Sequence, residues 1–197
     1  MDIAMDVTAV TPLRRAAYVD AGLYRSEQEK VFAGGWTALL FDHQLPDAGD
    51  QIPIEMAGLP LVAVRDREGG VRVFHNVCRH RASLVVPEPV KGQPTLRCPY
   101  HGWAYALDGT LRATPLWDGQ RVTDPATLDR SKLGLREVRC GVWSGVVWID
   151  LSGTAPPLED HVAPLTALWQ AYDMSTLRLA HYETGQGHRH TRRPPSQ

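Results

Sequence analysis

The chain has 197 residues, of which 21 are Lys or Arg and 22 are Asp or Glu, so its formal net charge is −1. This balance argues against the basic composition of a nucleic-acid-binding or membrane-surface protein. Domains commonly contain about 100–200 residues, and a chain of this size buries enough surface to fold without crosslinks. We therefore expect one domain with short appendages.

Cysteine usage and the N-terminus indicate the compartment. The three cysteines, Cys78, Cys98 and Cys140, are an odd and sparse set, unlike a disulfide scaffold. The first ten residues lack the basic and then apolar order of a signal peptide, and no apolar run approaches the ~20 residues of a transmembrane helix. We expect a reducing cytoplasm, where isolated Cys and His residues favour metal or redox chemistry.

The first predicted element is a short helix in the sequence SEQEKVFAGG, residues 26–35. Ser26 can cap it, Glu29 completes a capping box, and two glycines end it. From Ile52 the sequence changes to short β-rich runs that predict three hairpins. Their strands are 59–66 and 71–76 around REGG, 103–107 and 110–113 around Asp108-Gly109, and 136–143 and 145–151 around Ser144-Gly145.

After the last hairpin the chain changes character. Residues 152–160 are linker-like, and residues 165–173, after Pro164, have the pattern of one amphipathic helix. The last fifteen residues contain no aliphatic or aromatic side chain, so we expect them to be disordered. The predicted segments are a helical lead-in over 1–36, a mainly β antiparallel sandwich domain over 37–151, a linker and helix over 152–182, and a tail over 183–197.

Two short motifs each combine one cysteine with one histidine. Cys78-x-His80 is followed, after seventeen residues, by Cys98-x2-His101. Side chains two apart in extended backbone point the same way, and Pro99 presets a turn that brings its ends within about 7 Å. Two such loops at hairpin ends would clamp one object between them.

The spacing leaves two kinds of metal site open. Two thiolates and two imidazoles could hold a tetrahedral zinc ion, but zinc fingers usually pair like ligands within each half. In a Rieske [2Fe–2S] centre, two histidines replace two cysteines on one of the two irons. The mixed halves favour the second arrangement, because neither loop alone could complete either iron.

The sequence CRHRAS, followed by CPYHGWAYALDGTL, resembles the Rieske domain of ring-hydroxylating (Rieske non-haem iron) oxygenase α-subunits. The similarity extends from about Tyr18 to Tyr182, through YRSEQEKVFAGGWTAL before the motifs and GVWSGVVWIDLSGTAPPLEDHV after them. It implies a Rieske-type β-sandwich that carries a [2Fe–2S] cluster. The ligands that it implies are Cys78 and Cys98 on one iron and His80 and His101 on the other.

Neighbouring residues distinguish these motifs from their respiratory counterparts. Respiratory Rieske proteins place disulfide-forming cysteines where this sequence has Ser83 and Tyr100, and a serine where it has Trp103. The resemblance therefore implies a cluster without that disulfide and without that hydroxyl donor to a sulfide, and hence a lower reduction potential. One departure from the oxygenase pattern is Ala82, where the family usually has glycine, so we expect a slightly less tight loop.

Other residues near the motifs have both a structural and a functional interpretation. Arg79 and Arg81 are solvated loop charges, or they offset cluster charge and pair with acidic groups of a partner. Tyr100, Trp103 and Tyr105 are packing residues, although Trp103 could also shield the cluster from water. We expect the shell around the ligands to contain Arg81, Tyr100 and Trp103.

The residues expected of a second, mononuclear iron site are missing from the sequence. In the resembled family, two histidines and a carboxylate hold that iron in a C-terminal catalytic domain, after an Asn-Trp-Lys stretch. Neither motif occurs here, and His188 and His190 have the wrong spacing. Cys140 lies in an apolar strand pattern that predicts a buried small hydrophobe. We expect no catalytic residues, and we hypothesise a truncated or frame-shifted product.

The resemblance implies an electron-transfer function within a mono- or dioxygenase. Electrons would arrive from an NAD(P)H-dependent reductase or a ferredoxin and pass to the mononuclear iron. Family members usually form trimers. This chain alone would lack oxygenase activity. Two alternatives stay open, a stand-alone Rieske ferredoxin-like carrier and a zinc-stabilised interaction domain.

Overall fold

The structure is a computed structural model, and it describes residues 14–115, 117 and 128–177. The predicted tail over 183–197, with His188 and His190, lies outside these residues. The described chain contains nine strands and three α-helices. The strands are β1 (Trp36–Phe41), β2 (Gln51–Met56), β3 (Leu59–Arg65), β4 (Val71–His75), β5 (Leu96–Arg97), β6 (Ala104–Tyr105), β7 (Leu111–Ala113), β8 (Glu137–Trp143) and β9 (Val146–Asp150). The helices are α1 (Ala16–Val19), α2 (Ala21–Glu27) and α3 (Leu158–Trp169).

The strands form two antiparallel sheets. The larger has six strands in the order β1-β9-β8-β4-β3-β2, and the smaller has three in the order β5-β6-β7. Helices precede β1 and follow β9. The predicted fold class, mainly β and antiparallel with helical segments at both ends, is confirmed.

The central hairpin β3–β4 is buried on both faces. Successive side chains on a strand point to opposite faces, so alternate residues of this hairpin enter two different cores. One core contains Leu61, Ala63 and Val73 together with Val138, Val147 and Ile149 of β8 and β9. The other contains Val62, Val64 and Phe74 together with Leu96, Trp103, Tyr105, Leu111 and both motif cysteines. The two motif loops therefore rest on the second core.

The three hairpins predicted from turn residues are present. At Ser144-Gly145, between β8 and β9, both residues have positive φ, 50° and 74°. At Asp108-Gly109, a side chain on Gly109 would place Cβ 2.5 Å from the Phe74 ring, so close packing as well as its φ of 82° requires glycine. The structure adds a fourth tight turn at Ala57-Gly58, between β2 and β3, with φ of 51° and 73°.

The predicted start of the N-terminal helix is wrong. Helix α2 is capped by Asp20, whose carboxylate accepts a 2.8 Å hydrogen bond from the Leu23 amide, and Ser26 lies inside the helix. Asp20 supplies the same type of capping acceptor two turns earlier in the chain, so the helix nucleates there. A π-helical turn, Gln28–Phe32, continues α2, and the helical segment ends before the predicted glycine pair.

The C-terminal helix also begins earlier than predicted. Helix α3 starts at Leu158 and includes Pro164, which the sequence pattern places before the helix. A proline inside a helix costs about 3 kcal/mol, and packing offsets this cost, because Leu158 and Val162 are buried against Trp36 of β1. In the described ranges of the chain, no helix combines the length and apolar character needed to cross a bilayer.

Asp150, at the end of β9, organises the turn that leads into α3. Its buried carboxylate accepts hydrogen bonds from Ser152, from the amides of Gly153 and Ala155, and from Arg139 at 3.3 Å. Burial alone would raise the pKa of Asp150, but these hydrogen bonds outweigh it and hold the pKa below the usual value for aspartate.

Asp150→Asn should destabilise the chain by about 1–3 kcal/mol, because the new amide group cannot accept from Ala155 and Arg139. The folded pKa of Asp150 lies below the unfolded value of about 3.9, so its contribution is complete above that pH and is lost as pH falls through the folded pKa. The variant should therefore lose less stability than wild type below about pH 4. Urea unfolding followed by tryptophan fluorescence measures both effects, with exposed Glu55→Gln as control. Equal loss of stability in the two variants would contradict this role.

Candidate metal centre

The first motif occupies a closed loop, residues 78–83, which we call loop A. The Cys78 carbonyl accepts from the Ala82 amide at 3.0 Å, and the Cys78 amide donates to the Ser83 carbonyl at 2.8 Å. Ala82 has a φ of 54°, a left-handed conformation that disfavours residues with a side chain. The loop therefore closes fully around Ala82, and the departure from glycine appears as backbone strain rather than as a looser loop.

Asn76 connects loop A to the strand that precedes it. Its buried side chain donates to the Val86 carbonyl at 2.7 Å and accepts from the amides of Val85 and Val86 at 3.0 and 2.9 Å. These bonds fix the chain as it leaves loop A. The sequence predicts no role for Asn76, because a buried amide that bonds distant backbone has no local sequence signal.

The second motif occupies loop B, residues 98–103, with the same backbone pattern. The Cys98 carbonyl accepts from the Gly102 amide at 3.0 Å, and the Cys98 amide donates to the Trp103 carbonyl at 2.8 Å. Gly102 has a φ of 72°, and an added Cβ would lie 3.2 Å from a side-chain carbon of Pro115. Glycine meets both constraints. The two loops thus present their cysteines at equivalent positions.

The two cysteine thiols lie side by side and buried, with no disulfide between them. Burial raises the pKa of the Cys78 thiol, and neighbouring Cys98 raises it further, while hydrogen bonds from Tyr105 and the His80 amide act in the opposite direction. The Tyr105 hydroxyl is 3.3 Å from Cys78 Sγ and accepts from the Arg79 amide at 3.0 Å. Burial, with the contact to Cys78, raises the pKa of Tyr105, so the hydroxyl stays protonated. The strand position of Tyr105 predicts only a packing role, so this contact has no signal in the sequence.

The two motif histidines also meet. The ring centroids of His80 and His101 are 4.6 Å apart, with an interplanar angle of 68°. The Nδ1 atom of His80 is buried and has no hydrogen-bond partner among the described residues. Burial first, and then the positive charges of His101 and Arg81, lower the pKa of His80. A neutral imidazole with a free ring nitrogen is the form that binds metals.

Aromatic rings cover the histidine pair. The buried indole of Trp103 is parallel to the His80 ring, with an interplanar angle of 3° and a centroid distance of 4.8 Å. The Trp117 ring also stacks with Trp103, at a centroid distance of 5.5 Å. Tyr100 is exposed, and its ring lies 3.7 Å from that of His101. Two members of the predicted shell, Trp103 and Tyr100, therefore touch the histidines.

The remaining predicted residues lie near or outside this site. Arg81 is exposed and acts on His80 through its charge rather than through a hydrogen bond. Cys140 lies on β8, where its thiol is 3.4 Å from the Val71 carbonyl, away from both loops. Cys140 packs against the core of the large sheet and is half-buried rather than fully buried as predicted, and this burial raises the pKa of its thiol.

The donor set fits a [2Fe–2S] cluster of the Rieske type. Each loop contributes one thiol and one imidazole, and the contacts between loops join like with like, thiol to thiol and imidazole to imidazole. The free Nδ1 of His80 is an orphaned donor atom that a metal would satisfy. Both thiols sit on an apolar core, and a hydrophobic surround of this kind controls solvent access to a metal site.

Comparison with known proteins gives the same result. Residues 35–124 match the Rieske [2Fe–2S] domain family. The chain is 30% identical over 163 residues to the glycine betaine monooxygenase oxygenase subunit of Pseudomonas aeruginosa, covering 83% of this chain and 37% of that protein. It is 33% identical over 150 residues to the carnitine monooxygenase oxygenase subunit of Escherichia coli, covering 76% and 39%.

A solved structure shows the same similarity in three dimensions. The quaternary ammonium Rieske monooxygenase CntA superposes with a TM-score of 0.69 and 25% identity, over 81% of this chain and 44% of that one. The chain thus spans less than half the length of these relatives. Residues 35–124 therefore belong to the Rieske [2Fe–2S] domain family, and the chain is similar to the Rieske-containing part of these oxygenase subunits.

Proposed function

We propose that the four motif residues bind the cluster, with Cys78 and Cys98 on one iron and His80 and His101 on the other. The observation that carries this proposal is the pairing of like donors across two loops, with neighbouring thiols and imidazole rings 4.6 Å apart. A Rieske centre requires this division, because two histidines take the place of two cysteines on one iron.

A zinc-stabilised interaction domain is the competing proposal. Tetrahedral zinc needs its donors to surround one point. Within residues 14–115, 117 and 128–177, no group of three or more His, Cys, Asp or Glu side chains does so. Two separate donor pairs therefore favour a two-metal cluster over a single ion.

The residues around the motifs control water and orientation. A [2Fe–2S] cluster, when bound, supplies one-electron transfer. Trp103 lies flat against His80 and fixes the plane of that imidazole. The Tyr105 hydroxyl already accepts from the Arg79 amide and lies 3.3 Å from Cys78 Sγ, so it would donate to that sulfur once Cys78 binds iron as a thiolate. The core under the thiols excludes water from the sulfur side.

We infer that the chain is the electron-transfer part of an oxygenase. In this role it receives electrons from an NAD(P)H-dependent reductase or a ferredoxin, and it passes them to a mononuclear iron bound elsewhere in the enzyme. Glycine betaine and carnitine, the substrates in the names of two relatives, make quaternary ammonium compounds the first substrate class to test in the full enzyme. The isolated chain should not hydroxylate.

Similarity beyond the cluster domain supports this role over that of a stand-alone carrier. The alignment to the oxygenase subunit covers 163 residues, whereas the cluster domain match covers only 35–124. An apolar cavity of about 500 Å³ opens between β1, β8, β9 and α3, lined by Trp143, Trp148 and Trp169 among others. Exposed apolar surface of this kind marks a contact with another domain or protein. A small independent electron carrier would not need such a contact between its sheet and α3.

Cys98→Ser should prevent cluster assembly, because it removes one of two thiolates from the sulfur-bound iron. The anaerobically purified wild-type chain should contain iron and acid-labile sulfide in equal amounts. After reduction with dithionite, its EPR spectrum should be that of a [2Fe–2S] centre with mixed ligands. The variant should lose iron, sulfide and the spectrum. Cys140→Ser is the matched control and should retain all three, since Cys140 lies away from both loops.

Zinc without iron or sulfide in the wild-type chain would refute the ligand assignment. Loss of the cluster in Cys140→Ser would refute it too. Product formation by the isolated chain, supplied with NADH and a reductase, would instead contradict only the conclusion that hydroxylation takes place elsewhere.

Tyr105→Phe should lower the midpoint potential of the loaded chain. An iron-bound Cys78 thiolate can only accept, so the lost hydroxyl is a donor to its sulfur, and such a hydrogen bond favours the more electron-rich reduced state. A difference of about 1 kcal/mol between the redox states corresponds to about 40 mV for one electron. Protein-film voltammetry gives the shift. Tyr100→Phe removes the hydroxyl of an exposed tyrosine beside His101 and should leave the potential unchanged. An equal shift in both variants would contradict a specific effect of the contact between Tyr105 and Cys78.

Ala82→Gly should stabilise the chain by about 1 kcal/mol, because Gly adopts the left-handed φ of 54° without strain. Gly102→Ala should destabilise it by at least about 1 kcal/mol, since it adds strain and a contact with Pro115. Urea unfolding monitored by visible cluster absorption measures both. Gly35→Ala, where an added Cβ meets no atom within 4 Å, is the control and should not destabilise the chain. A destabilised Ala82→Gly variant would show that loop A does not carry this strain.

A further inference from the structure

A second, smaller cavity lies behind loop A. It has a volume of about 230 Å³ and is lined by His75, Val77, Arg79 and Arg136. His75 ends β4, and its amide donates to the Arg136 carbonyl at 2.9 Å, just before β8. The Val77 amide in turn donates to the His75 carbonyl at 2.8 Å. The walls of this cavity, which we call the arginine pocket, are therefore held by backbone hydrogen bonds at one end of the large sheet.

The charge of the arginine pocket is one-sided. Two arginines and a histidine line it, and among the residues that the structure describes no Asp or Glu does. The ion pairs described in the structure all involve other residues. They are Arg72 with Asp66 and Glu137, Lys91 with Asp50, Lys132 with Asp129, and Arg139 with Asp150.

Arg79 has a donor that needs an acceptor. Its Nε atom is buried and has no hydrogen-bond partner in the described part of the chain. Burying a charged donor without an acceptor is unfavourable, so the site favours a group that can supply one. The planar guanidinium fork matches the oxygens of a carboxylate or a phosphate, and a second guanidinium in the same pocket reinforces that preference.

The size of the pocket limits its ligand. A water molecule takes about 30 Å³ in the liquid, so a cavity of about 230 Å³ holds several waters or one small oxyanion. We propose that the arginine pocket binds a single oxyanion group, a carboxylate or a phosphate, and that its occupancy lowers the reduction potential of the adjacent redox centre. The second half of this proposal rests on the proposed function.

The coupling follows from the position of Arg79. This residue lies between Cys78 and His80 in loop A, so its charge stabilises an electron added at the centre. An oxyanion on Arg79 offsets that charge, so it binds the oxidised form more tightly than the reduced form. By thermodynamic reciprocity, the same ligand lowers the midpoint potential. Tenfold tighter binding to the oxidised form corresponds to a shift of about 59 mV at saturation.

Two ligands with the same chemistry distinguish the possible sources of the oxyanion. Inorganic phosphate represents a free anion, and a hexaglutamate peptide represents the carboxylates of a partner protein. Each is titrated into the purified chain at constant ionic strength. Isothermal calorimetry measures binding directly, with or without a cluster, and voltammetry of the loaded chain measures the potential.

Arg136→Gln is the principal variant, because Arg136 is exposed and contributes only its backbone to the sheet. It should weaken binding at least tenfold and abolish the ligand-dependent shift in potential. Arg79→Gln should do the same. Arg81→Gln is the matched control, an exposed arginine of the same loop that does not line the pocket, and it should keep the ligand response of wild type.

Phosphate binding that depends on Arg136 would support a free anion as the source, and binding of hexaglutamate alone would support a protein carboxylate. If calorimetry detects no binding of either probe, the proposal that the arginine pocket binds an oxyanion is wrong. Binding that is equally weakened by Arg81→Gln would overturn it too, since that indicates general electrostatic attraction. Binding of a probe without any change in midpoint potential would overturn the proposed coupling. An absent EPR signal would refute the proposed function, and calorimetry would then still show whether the arginine pocket binds an oxyanion.

Discussion

Closure of each motif loop onto its own cysteine is the constraint on which the site depends. In both loops the cysteine carbonyl accepts from the amide four residues later, and the cysteine amide donates to the carbonyl five residues later. This pattern turns each cysteine toward the apolar core and brings its histidine to the opposite loop. Because both loops use the same bonds, two sequence segments of different spacing present equivalent donors, and the like pairs form across the gap between them.

The two loops reach the same geometry by different means. Loop B relies on Gly102, which adopts the left-handed conformation at no cost and leaves room for Pro115. Loop A places Ala82 at the corresponding position, and the three hydrogen bonds of Asn76 hold the chain that follows. A buried hydrogen-bond network of this kind can maintain a strained backbone that would otherwise relax. The stability of loop A therefore comes from tertiary contacts more than from its own sequence.

Electrostatics near the site differ from the balance of the whole chain. The net charge of the chain is −1, but Arg79, Arg81 and Arg136 lie in loop A or beside it. The ion pairs that the structure describes involve none of these three arginines. Positive charge beside a redox centre favours its reduced state, and the hydroxyl of Tyr105 acts in the same direction. With the proposed cluster bound, these local groups would set its reduction potential, and Trp103, which is parallel to the His80 ring, would hold that imidazole in place.

Local patterns in the sequence determined the three hairpins, the mainly β class and the four motif residues, because turn dipeptides, strand alternation and Cys/His spacing act over a few residues. The same reasoning placed the helix cap at Ser26 and began the C-terminal helix only after Pro164. Both were wrong, because Asp20 caps earlier and burial of Leu158 and Val162 against Trp36 outweighs the cost of the proline. Only the tertiary structure decided that Asn76 supports loop A, that Tyr105 reaches Cys78, and that Arg79 and Arg136 share a pocket. These contacts join residues from separate strands, and no spacing along the chain encodes which side chains a folded sheet brings together.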